Sequence, residues 1–189
     1  MPDAALPKLR LGISSCLLGA EVRYDGGHKR NSFLADILGR RVEWVPVCPE
    51  VEVGMGTPRP PIRLERHEGK IRLVMPSTSE DLTDRMQAWA ERRAATLRAL
   101  DLDGYVLKKD SPSCGLERVE VYPAGAGAGG VPTQDGRGLF AAALVAALPD
   151  LPIEEEGRLN DPSRRESFLA QVVLYHRWRE GESPNRLIP

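Results

Sequence analysis

Cysteine is scarce in this chain, with only Cys16, Cys48 and Cys114 among 189 residues. An odd number of widely spaced cysteines argues against a disulfide framework, and no CxxC pair marks a zinc ribbon or a thioredoxin-like redox site. Excess charge is lacking too: 26 basic and 27 acidic residues leave a formal −1, with no strongly basic half. Binding driven by nucleic-acid phosphates is therefore not expected. Aromatics make up 5% of the chain, and Trp44, Trp89 and Trp178 read as packing residues, not base-stacking platforms. No apolar run approaches the roughly 20 residues of a membrane-spanning helix, and "MPDAALPKLR" lacks the apolar centre of a secretory signal. The expectation is a cytoplasmic protein without nucleic-acid or membrane partners, its oligomeric state left open.

What is present is a globular composition, 41% hydrophobic and 28% charged, in a length suited to one domain over 1–189. "KLRLGISS" (Lys8–Ser15), "VEWVPV" (Val42–Val47) and "GYVLKK" (Gly104–Lys109) read as buried strands, with "PIEEEG" (Pro152–Gly157) as a fourth. Helical spacing appears in Arg30–Gly39 and in Thr78–Leu100, where Thr78 and Asp81 resemble a capping pair. It recurs in the Ala-rich Gly136–Leu148 and in Asn160–Trp178, with Asp161 as N-cap and Pro162 in the first turn. "PIRLERHEGKIRLVM" (Pro61–Met75) alternates about Glu68-Gly69 as a β-hairpin, and "PAGAGAGGVPTQDG" (Pro123–Gly136) reads as a flexible surface loop. The fold class expected is α/β: a mainly parallel, open, Rossmann-like sheet with helices on both faces and a hairpin excursion.

Each cysteine follows one of the first three strands. In an open α/β sheet, ligands bind in the crevice at the carboxyl ends of the strands, so parallel neighbours would bring the three thiols to one edge. Three thiolates suit a soft metal. A zinc site would recruit a histidine or a water as fourth ligand, and His28 in "RYDGGHKR" is the only histidine near a cysteine segment. An iron–sulfur cluster normally takes four cysteines, so one held by three would keep an open iron able to act as a Lewis acid. Three buried thiols that merely pack are the plain alternative.

The chain also resembles a known family. "ISSCLLGAEVRYDGGHKR" (Ile13–Arg30), "VPVCPEVEVGMGTPRPPI" (Val45–Ile62), "DLT" (Asp81–Thr83), "LKKDSPSCG" (Leu107–Gly115) and "IEEEGRLNDPSRRESF" (Ile153–Phe168) occur in the order of the 2-thiouracil desulfurase family. The resemblance runs from about Leu9 to Phe168. It implies a 4Fe–4S cluster held by Cys16, Cys48 and Cys114, with the fourth iron capturing the sulfur of a thiolated pyrimidine. It further implies that Glu50 and Ser111 are catalytic. The "AGAGAGG" loop looks longer than is typical of the family, and residues after about Tyr175 match nothing in it.

On this reading Glu50 acts as general base on a water that attacks the carbon bearing sulfur, and no net redox chemistry is needed. Ser111 takes a substrate or proton-transfer role. Ser113 hydrogen-bonds near the cluster and, with Arg23 and Asp25 from the Gly26-Gly27 turn, contacts substrate. Gly115 lets the backbone approach the inorganic sulfides. Lys29 and Arg30 are either ligand donors or a solvated helix entrance, and Arg59 is either a substrate clamp or a loop anchor. A different class stays open, a cluster-bearing binding or redox-sensing module. It would need the thiols but no carboxylate beside them.

Overall fold

The computed structural model describes residues 8–127 and 130–181. Along the chain come β1 (Leu9–Ser14), β2 (Val42–Val47), the single-turn α1 (Pro49–Glu52), β3 (Arg63–His67), β4 (Lys70–Met75) and β5 (Glu80–Asp81). There follow α2 (Thr83–Arg98), β6 (Gly104–Leu107), β7 (Val119–Pro123), β8 (Thr133–Gly136), α3 (Leu139–Ala147), β9 (Ile153–Glu155) and α4 (Pro162–Arg179). Four strands form a wholly parallel sheet in the order β2-β1-β6-β9. The chain leaves β1 toward β2 on one side and returns to β6 on the other. The switch point, where the carboxyl ends part, therefore lies between β1 and β6.

Both faces of this sheet are covered, as its apolar strands require. Leu11, Ile13 and Val106 point to one face, where they meet Phe168 and Val172 of α4 and the buried Leu34 and Leu38. Tyr105 and Leu107 point to the other and join Ala90 and Leu97 of α2 with Phe140, Ala141 and Leu144 of α3. Gly12 is needed for this packing: a Cβ there would lie 2.1 Å from the Tyr105 ring, which crosses the strand at that point.

A second, five-stranded sheet in the order β5-β4-β3-β7-β8 packs Leu64, Leu73, Val119 and Val121 against Met86 of α2 and Leu139 of α3. Trp89 bridges the two cores from α2. The expected hairpin is present as β3 and β4, and it is the centre of this sheet instead of an isolated excursion. The loop expected at Pro123–Gly136 is loop only in part: its last four residues form β8, which pairs antiparallel with β7 as a second hairpin; its Ala128 and Gly129 lie outside the described residues.

Three local expectations change. Arg30–Gly39 forms no regular α-helix: a π-type turn at Phe33–Ile37 passes into a 3₁₀ turn at Leu38–Arg40. Such short turns still bury Leu34 and Leu38. The long helix starts at Thr83, because Glu80 and Asp81 pair with Met75 and Val74 as an edge strand. Thr83 Oγ1 then accepts the Leu73 amide at 2.8 Å, and Asp81 Oδ1 takes the Thr83 amide at 2.9 Å, so Thr78 and Asp81 are not a capping pair. At α4 the expected cap is found, with Asp161 Oδ1 accepting the Ser163 amide at 2.9 Å.

Candidate active site at the carboxyl edge of the parallel sheet

Each cysteine is placed by the end of its strand. Cys16 sits in a 3₁₀ turn, Ser15–Leu18, directly after β1. Cys48 is extended, with φ −124° and ψ 101°, because it precedes Pro49. That restriction ends β2 and leaves the thiol outside the first turn of α1. Cys114 lies in the turn after β6. There Ser111 Oγ accepts the amides of Ser113 and Cys114 at 3.2 and 3.0 Å, and the Ser111 carbonyl accepts Gly115 at 2.8 Å.

That turn also starts α3. The carbonyl of Ser113 accepts the amides of Phe140 and Ala141 at 3.0 and 3.2 Å, and that of Pro112 accepts Leu139 at 3.2 Å, so unpaired amides of the first helical turn are satisfied. Gly138 permits the contact, since a Cβ there would come within 2.5 Å of the Ser113 carbonyl oxygen. At Gly115 the missing Cβ serves the turn itself, its space being taken by Val119 and the Ser111 carbonyl.

All three thiols are free and line one cavity of about 370 Å³. Glu50, Ser111, Arg23 and Lys29 share its wall, as do Arg59, Lys108, Lys109 and Asp110. Among the described residues no three His, Cys, Asp or Glu side chains converge on a single-ion site. Three free thiols on one cavity are the donor set of an iron–sulfur cluster, whose cysteines bind separate irons. Burial pushes the Cys16 thiol up to about 11, against the pull of the Lys108 ammonium. Burial also raises Cys48, and it raises Cys114 far more, with the Ser14 hydroxyl acting the other way. In the metal-free protein these are thiols, and metal binding has to displace their protons.

The carboxylate of Glu50 is held on two sides. Arg59 forks onto Oε2 through Nε at 2.9 Å and Nη2 at 2.5 Å, and Ser113 Oγ donates to Oε1 at 3.1 Å. Across the cavity, Lys108 donates to Glu156 Oε1 at 2.6 Å, while Oε2 takes the Lys109 amide at 2.7 Å. Next to it, Glu155 Oε1 accepts the Leu116 amide at 2.8 Å, and burial raises its pKa. The acidic pair at the end of β9, Glu155 and Glu156, thus clamps both ends of the Cys114 turn.

Of the residues expected at the site, the cysteines, Glu50, Ser111 and Arg23 meet on one wall. Two do not reach it. Ser113 is 0% exposed and touches the cavity only through Glu50. Asp25 is spent on its own turn, accepting the Gly27 amide at 3.0 Å and pairing with Arg23 at 3.6 Å. His28 is exposed and likewise spent locally, its Nδ1 accepting the Arg30 amide at 3.2 Å. Lys108 and Glu156 were missed as site residues, although the juxtaposed lysines of "LKKD" after a buried strand were a usable signal.

A parallel sheet flanked by helices, with three strand-end thiols and a fixed carboxylate around one cavity, defines an α/β protein with a cluster-type active site. The model of the family described as 2-thiouracil desulfurase matches residues 11–156, and the chain belongs to that family. Among solved structures, the chain is similar to the 4Fe-4S-dependent thiouracil desulfidase TudS, at 32% identity and a TM-score of 0.66. That match covers 85% of this chain and 99% of the other. Among curated proteins it is 31% identical over 108 residues to the uncharacterized protein YbbK of Bacillus subtilis (strain 168), covering 54% of this chain and 71% of that protein.

Proposed function

We propose that this chain is a 4Fe–4S-dependent desulfurase converting a thiolated pyrimidine such as 2-thiouracil, with water, to the oxygenated base and hydrosulfide. The observation that carries the reading is the shared cavity of Cys16, Cys48, Cys114 and Glu50. The three cysteines would hold the cluster, which when bound supplies an open iron to polarise the carbon–sulfur bond and take up sulfur.

The chain's own residues supply the rest. Glu50 Oε1 accepts a proton from the attacking water, and its carboxylate stays in place because Arg59 and Ser113 hold it. A C–O bond forms, the C–S bond breaks, and sulfur leaves as hydrosulfide with both bonding electrons; no electron is gained or lost overall. Ser111 Oγ accepts two amides, which leaves its own proton to donate to the ring or to the departing group. Arg23 offers a cation at the mouth, with Asp25 orienting it. The apolar wall of Val22, Pro61, Ile62 and Pro112 receives the planar ring. Unpaired thiols of this kind suit a reducing compartment such as the cytoplasm.

The test is anaerobic reconstitution followed by a sulfide assay across thiolated pyrimidines. A brown protein with about four irons per chain that releases sulfide from 2-thiouracil is expected. A fully loaded protein that releases none from any thiolated pyrimidine overturns the reading.

A further inference from the structure

Arg59 comes nine residues after Glu50 on a proline-rich strap, and its side chain is 3% exposed. Beyond the fork on Glu50 Oε2, Nη2 reaches the Val22 carbonyl at 3.0 Å. Nη1 reaches the Gly56 carbonyl at 2.7 Å and Thr57 Oγ1 at 3.3 Å. A guanidinium has five N–H donors, and these five contacts use them all. No donor is left for substrate, so the substrate-clamp alternative fails. The loop-anchor alternative holds for the Gly56, Thr57 and Val22 contacts, but the other two of the five fall on the carboxylate and go beyond it.

A carboxylate offers about four lone-pair positions. Arg59 occupies both on Oε2 and Ser113 one on Oε1. One position remains, on the oxygen whose residue lines the cavity.

We propose that Arg59 is a positioning residue that acts through Glu50: it fixes the carboxylate so that a single lone pair of Oε1 is left for the reacting water. The inference rests on the desulfurase reading for what Glu50 does, and on geometry alone for what Arg59 does to Glu50.

Arg59→Lys keeps the charge but cannot fork. In reconstituted enzyme it is expected to lower kcat about a hundredfold, the scale of a misplacement near 1 Å. KM for 2-thiouracil and iron content stay unchanged. On a Glu50→Gln background the same change produces no further loss, because its effect passes only through Glu50. A full-rate Arg59→Lys enzyme, or an equal further loss on the Glu50→Gln background, overturns the proposal. Arg59→Met, which removes the charge and keeps the stem, is the second variant and has the same expected direction.

A readout without turnover separates the two readings. In metal-free protein, carbodiimide-driven amidation followed by mass spectrometry should speed up severalfold at Glu50 in Arg59→Lys, with the exposed Asp84 unchanged. Equal labelling at Glu50 overturns the positioning role. Faster labelling in a protein whose loaded wild type releases no sulfide leaves that role standing and removes the desulfurase reading.

Discussion

At the scale of single residues the cavity is a set of protons waiting to be moved. With Cys16 raised from an ordinary 9.0 to about 11, the folded metal-free protein disfavours its thiolate. The sign of the linkage follows. The stability this thiol contributes is fully present below pH 9.0, and it is lost as pH rises through about 11. Denaturant midpoints of the apo-protein measured from pH 8 upward should fall across that window, and a Cys16→Ser variant should fall less. Glu50→Gln is expected to keep its iron and lose about 10²–10⁴-fold in sulfide release, the range of a missing general base; full turnover would remove Glu50 from the chemistry. Ser111→Ala removes the acceptor of two amides in the Cys114 turn and should cost about 1 kcal/mol of stability, like the loss of a helix cap. A parallel drop in kcat separates proton donation from turn-holding, because a turn residue alone would leave kinetics normal.

Elements explain which parts were legible in advance. The inner strands β1 and β6 are buried on both faces where they pair, so Leu11–Ser14 and "GYVL" hold no charged residue and read as buried strands, and the cysteines punctuate their ends visibly. The second sheet was half hidden. Three of the four residues in β8, "TQDG", are exposed, and it pairs across a glycine-rich connection, so neither periodicity nor composition marks it as a strand. The division of labour between Ser111 and Ser113 was also unreadable, because two serines two apart look alike until the turn points one at backbone amides and the other at Glu50. Glu155 and Glu156 come from a distant stretch, and their partners appear only once β9 lies beside β6. That clamp can be tested: Glu156→Gln should cost about 1–3 kcal/mol in denaturant unfolding, since Lys108 and the Lys109 amide lose a charged partner in a half-buried setting.

On the scale of the whole molecule, the two sheets share α2 and α3 as a common layer, with Trp89 and Phe140 in contact at 5.5 Å between ring centroids. Phe140→Ala should therefore cost about 3–5 kcal/mol. Because α3 begins on the Cys114 turn, the same change should slow cluster loading, read as iron bound per chain over time. No described helix is long and apolar enough to cross a membrane. β1, which carries Cys16 at its end, pairs directly with β2, which carries Cys48, while Cys114 arrives only after β6 has paired on the other side of β1. A growing polypeptide therefore offers no complete set of sulfur ligands until its third strand-end has emerged and docked. Insertion of the inorganic centre is consequently a late event in the protein's life, and a truncated or stalled product would carry too few anchors to sequester iron.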